Sequence, residues 1–153
     1  MPDNPFAPPT SEVRDLSPRP GSPIKGVILG LLVDIGGTVI SSMVIGGVFA
    51  VFMAQSGMPP EEIFAALSDT RFSSPLFVVS TIAGGGLSVL GGYVCQRIAR
   101  RSNYRLALVL AGLSTAIGLA MSWSSYSALV HALLTLLNVA SVLLGTRLAG
   151  RQH

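Results

Sequence analysis

The chain has 153 residues, half of them hydrophobic and only 11% charged, with a mean hydropathy of +0.63; a soluble domain usually carries about 25% charged residues. The net charge of +3 comes from nine Arg and one Lys placed mostly at the ends of apolar runs, not interleaved with aromatics, which argues against a nucleic-acid surface. Cys95 is the only cysteine and His131 and His153 the only histidines, which excludes an intrachain disulfide and a Cys/His zinc site.

Residues 1–24 come first in chain order. Seven of the ten prolines fall within the first 23 residues, a composition that buries too little apolar area to offset chain entropy. It predicts a disordered tail of polyproline character. The apolar run after it is about twice the 7–15-residue core of a signal peptide, so a cleaved leader is not expected.

The first span is predicted at 27–54, roughly 42 Å as a helix against a hydrocarbon core of about 30 Å. A ladder at spacing four runs through it: Gly26, Gly30, Asp34, Thr38, Ser42, Gly46, Ala50 and Ala54. Every rung but Asp34 is small, as suits helices that associate in lipid by close backbone approach. Moving Asp34 to the interface would draw six apolar residues out of hydrocarbon, at roughly 2–3.5 kcal/mol in all. Burying an aspartate centrally costs about 2.5–3.5 kcal/mol on the same scale. This near-balance predicts a shallow position in the inner half of the membrane, facing a neighbouring helix.

The loop at 55–74 contains "PPEEIFAALSDTRF". Pro60 suits the start of a short helix, Glu61 and Glu62 its positive end, and Ile63, Phe64 and Leu67 share one face. A short amphipathic cap is expected there.

A second span is predicted at 75–98, with its own ladder of Ser80, Gly84, Ser88, Gly92 and Gln96. The two ladders are expected to pack on each other, making Gly30, Thr38, Ser42, Gly46, Gly84, Ser88 and Gly92 the helix-packing residues. Helical side chains lean toward their own N-terminus, so in antiparallel spans Asp34 and Arg97 lean toward each other. An Asp34–Arg97 ion pair is the expected arrangement; the competing reading makes Asp34 a proton- or cation-coupling site.

The third and fourth spans are predicted at 106–122 and 128–148. The connection "RIARRSNYR" carries Arg97, Arg100, Arg101 and Arg105, whereas "SWSSYS" carries no charge and the 55–74 loop only Arg71 among three acids. An even number of spans with both termini cytoplasmic satisfies this bias and puts Trp123 and Tyr126 at the outer interface. Asn138, near the centre of the fourth span, and His131, a turn below the outer interface, are expected as polar glue, His131 being also a candidate relay.

The stretches "GLLVDIGGT" and "LGGYVCQRIAR" together resemble a group of small, uncharacterised bacterial four-span inner-membrane proteins, through Asp34, Gly37, Thr38, Gly91, Gly92, Tyr93 and Arg97. The resemblance covers residues 26–115 and implies a plasma-membrane location and a four-span fold, with no established reaction.

The reading is therefore an all-α, integral membrane four-helix bundle in the bacterial inner membrane. No nucleophile set, metal cluster or phosphate loop can be assembled, so neither enzyme activity nor a cofactor or metal is expected. The leading expectation is a structural or assembly component whose partners are the lipid bilayer, other membrane helices or further copies of itself. The alternative is a small proton-coupled transporter using Asp34.

Overall fold

The first long helix begins earlier than hydropathy alone predicts. Ser22 caps it, accepting from the Lys25 backbone N–H at 3.4 Å, and Pro23 occupies the first turn, where a missing N–H costs nothing. The computed structural model describes residues 21–69, 74–99, 104–122 and 126–150. The expectations for the tail up to residue 20, and those for Arg71, Arg100, Arg101, Trp123 and Arg151, lie outside the described residues.

Helix α1 (Pro23–Leu31) runs through a π-helical turn (Leu32–Gly36) into α2 (Gly37–Gln55). Together they form one rod of 33 residues, roughly 50 Å long. The rod ends in a Schellman motif: the Met58 N–H reaches the Met53 carbonyl at 3.2 Å and the Gly57 N–H the Ala54 carbonyl at 3.1 Å. Gly57 takes the left-handed φ of +82° that this stop requires. A short helix α3 (Pro60–Leu67) follows, with Glu61 and Glu62 in its first turn. Helices α4 (Pro75–Ala99), α5 (Tyr104–Ser122) and α6 (Ala128–Gly150) complete the described chain, in which no strand occurs.

Four helical segments, Pro23–Gln55, α4, α5 and α6, are long and apolar enough to cross a membrane. Their ends sort cleanly. Lys25, Arg97, Arg105 and Arg147 lie at one end, called here the basic end, and α3 lies at the other.

Packing changes along this axis. Toward the basic end, α1, α4, α6 and α5 form a closed ring of successive contacts. Its centre is a buried cluster of Cys95, Ala107, Leu110, Ala111 and Val142. A Cβ on Gly30 would stand 2.8 Å from the Gly91 carbonyl oxygen, and one on Gly91 2.8 Å from the Gly30 carbonyl oxygen. The α1 and α4 backbones touch there, which only glycine permits. Gly92 and Gly145 do the same for α4 and α6, each lying against the other helix's backbone at Val142 and Val89.

Toward the α3 end the rod stays on α4 but separates from α5 and α6. Gly26, Gly30 and Asp34 are buried, yet none of the 19 residues of α2 is. The continuous ladder expected through the first span is interrupted for a physical reason. The upper rungs Thr38, Ser42 and Gly46 still face the same space as Asp34, but above the π turn α2 diverges from α5 and α6, so the later rungs meet no neighbouring backbone. Thr38 still lies beside Gly84, but nothing approaches Gly36, Gly46 or Gly47 within 4 Å. Gly46 is therefore not a packing residue among the described contacts, and Gly92 serves α6 in place of the first span.

Candidate functional site

The π turn carries Asp34. It is 4% exposed and lies opposite Ser88, whose hydroxyl donates to Asp34 Oδ1 at 2.6 Å. Ser88 stands one residue past the middle of the 25-residue α4, so the acid is level with the centre of that helix. The Thr38 hydroxyl donates to the Asp34 main-chain carbonyl at 2.6 Å, satisfying backbone within the distorted turn.

Asp34 Oδ2 is fully covered and has no hydrogen-bond partner. The expected partner, Arg97, is elsewhere: its side chain is exposed at the basic end, donates to the Tyr93 hydroxyl at 2.7 Å and lies 5.8 Å from that ring's centre. The reason is rotational. Ser88 and Gly91 carry the α4 face that meets α1, whereas Arg97 shares a face with Tyr93. The structure thus joins Asp34 to Ser88 and does not bring Arg97 to it.

Asp34 and Ser88 form the floor of a cavity of about 720 Å³ that extends toward the α3 end, within the range of small-molecule sites. Its walls come from α2, α4, α5 and α6. Ser42 and Gly46, expected as packing rungs, line it instead. One wall is stitched by Asn138, whose side-chain amide donates to Ser114 Oγ at 2.8 Å and Thr115 Oγ1 at 3.1 Å, tying α6 to α5. Toward the α3 end sits His131, with Nε2 3.3 Å from Ser122 Oγ and Nδ1 3.2 Å from the Ser127 carbonyl oxygen. Tyr126 stands edge-on between His131 and Phe77, at 5.7 and 6.0 Å between ring centres. Asp69 contributes to the lining at the same end.

The described lining contains two carboxylates, Asp34 and Asp69, and no lysine or arginine. Hydroxyls and an amide supply most of the other polar groups; the rest of the wall is aliphatic or aromatic. No group of three or more His, Cys, Asp or Glu able to hold a metal occurs among the described residues.

What the arrangement can do follows from its electrostatics. A hydrogen bond to a charged group is worth about 1.5–3 kcal/mol, but a buried oxygen left without a partner costs a comparable amount. One serine therefore cannot satisfy this carboxyl group. Its second oxygen calls for a proton, a cation or a donor on a bound molecule.

No protein family, curated protein or solved structure matches this chain. The four long apolar helices define the class, that of a multi-pass helical membrane protein. Beyond the class, its geometry is the guide to function.

Proposed function

We propose that the protein is a small, non-enzymatic solute carrier of the bacterial inner membrane, with both termini cytoplasmic and Asp34 as its proton-coupling group. The observation that supports this most is the buried carboxyl group on the cavity floor, with one oxygen held by Ser88 and the other unpartnered. Intramembrane carboxyl groups are costly, and proton relays and ion pathways are their usual occupation. The orientation follows from Lys25, Arg97, Arg105 and Arg147, whose end belongs to the cytoplasm under the positive-inside bias. The cavity then opens toward the outer side. The other described titratable groups that face it are Asp69, Tyr126 and His131, all toward that mouth; Cys95 lies beneath, on α4.

Infrared difference spectroscopy of the reconstituted protein tests this. As the medium is taken from acid to alkaline, the protonated-carboxyl band should disappear in the parent protein, and that component should be missing from Asp34→Asn. An Asp34 band that ignores the pH of the medium refutes a coupling role.

A second reading, assembly with other helices or further copies, has its own support. Val44, Val48 and Phe52 on α2 are all exposed, and a Cβ on Gly47 would meet nothing within 4 Å. Cross-linking from Gly47→Cys in native membranes tests it: a dimer formed at this position supports a contact through α2, and a monomer rejects it.

A further inference from the structure

The cavity is not closed on all sides. α2 packs on α4 and α3, and α5 packs on α6 and α1, but α2 and α5 share no extended interface. Both nevertheless line the cavity, α2 through Val39 and Met43 and α5 through Ile117 and Met121. A gap between these helices thus reaches the polar floor from the lipid-facing side, with apolar side chains along both rims.

Three independent properties of this space converge on one ligand chemistry. Its volume of about 720 Å³ is far larger than a bare ion needs and suits a drug-sized organic molecule. Its walls are apolar over most of their area, which favours a hydrophobic body. Its described lining holds no lysine or arginine, and Asp34 is more than nine-tenths buried with an unpartnered oxygen. In a low-dielectric site, that combination selects positive charge and rejects negative charge.

Resting on the carrier reading above, we infer that the ligand is an amphiphilic organic cation that reaches Asp34 laterally, through the α2–α5 gap. Its apolar body lies between the two helices and its positive centre meets the carboxylate. Oδ2 is covered in the present arrangement; a partial turn about the broad Asp χ2 torsion brings it toward the cavity, whereas a half-turn only exchanges the two equivalent oxygens. Ser88 keeps its hydrogen bond to either oxygen, and the hydroxyls of Ser114 and Thr115 stand along the same wall.

The test uses two probes of nearly the same shape and opposite charge, tetraphenylphosphonium and tetraphenylborate, in equilibrium dialysis against the detergent-purified full chain. Tetraphenylphosphonium should bind saturably, and tetraphenylborate no more than it partitions into empty micelles. Asp34→Asn should weaken the cation by roughly 30-fold or more, as expected when one member of a buried charge pair is removed. Met43→Trp alters a side chain that is 72% exposed at the rim, so the fold should tolerate it. In rapid-mixing kinetics with the same cation it should slow association while leaving the acid in place.

Equal binding of both probes, or equal cation binding by the parent and Asp34→Asn, overturns the inference. So does unchanged association by Met43→Trp, which removes the lateral route. If the Asp34 infrared band responds to pH but tetraphenylphosphonium does not bind, the ligand class is wrong and the coupling role stands. If neither occurs, both fall.

Discussion

The Ser88 hydroxyl and the Asp34 carboxyl group meet at 2.6 Å across the contact between the π turn and α4. That bond fixes the level of the acid. It also leaves Oδ2 as a buried oxygen without a partner, from which the functional reading grows.

Removing the hydroxyl should therefore be costly. Ser88→Ala is expected to lose about 1.5–3 kcal/mol of stability, because the acceptor is a carboxylate already short of donors. Ser88→Thr should retain the bond and much of the stability. Unfolding by sodium dodecyl sulfate in mixed micelles checks both variants.

Arg97 should be energetically independent of Asp34. In a double-mutant cycle, Asp34→Asn and Arg97→Gln are expected to add within about 0.5 kcal/mol, as uncoupled sites do. A coupling of about 1 kcal/mol or more would restore the ion pair that the sequence suggests.

Glycines on one helix should differ sharply in tolerance. A Cβ on Gly30 would press on the Gly91 carbonyl oxygen at 2.8 Å and on Cys95 Cβ at 2.9 Å, whereas one on Gly46 meets nothing within 4 Å. Gly30→Ala should cost about 1–3 kcal/mol through forced separation of the backbones. Gly46→Ala should be neutral or stabilising by up to about 1 kcal/mol, from helix propensity alone. The same unfolding assay measures the difference.

Asn138 bonds to two hydroxyls on α5. Measured interhelical hydrogen bonds in membranes average about 0.6 kcal/mol and reach about 1.7. Asn138→Ala should fall in that range for stability, and it should also loosen one cavity wall. A larger probe-binding loss than stability loss would place Asn138 in ligand contact.

The long helices were legible because sustained hydropathy over 18 or more residues has few other outcomes. The start of α3 was legible in Pro60 followed by Glu61 and Glu62. Ser88 was within reach: it stands on the α4 ladder as Asp34 stands on that of α1, and two facing ladders bring such rungs together. Charge complementarity pointed to Arg97 instead, although its azimuth is set by Tyr93 and the basic end. The cavity was not legible. It exists because the first rod touches α5 below Asp34 and leaves it above, and neither that divergence nor the π turn at its level has a compositional mark in a list of small residues at spacing four.

The central claim is that Asp34 forms the floor of a cavity reached from the α3 end. Thiol accessibility tests it most directly, in a Cys95→Ala background carrying Thr115→Cys on the cavity wall or Leu113→Cys on the outward face of α5. A membrane-impermeant, water-soluble thiol reagent applied to oriented vesicles should modify the Thr115 position from the α3 side alone and leave the Leu113 position unreacted. Modification at Thr115 from the basic end, or from neither side, would contradict the account.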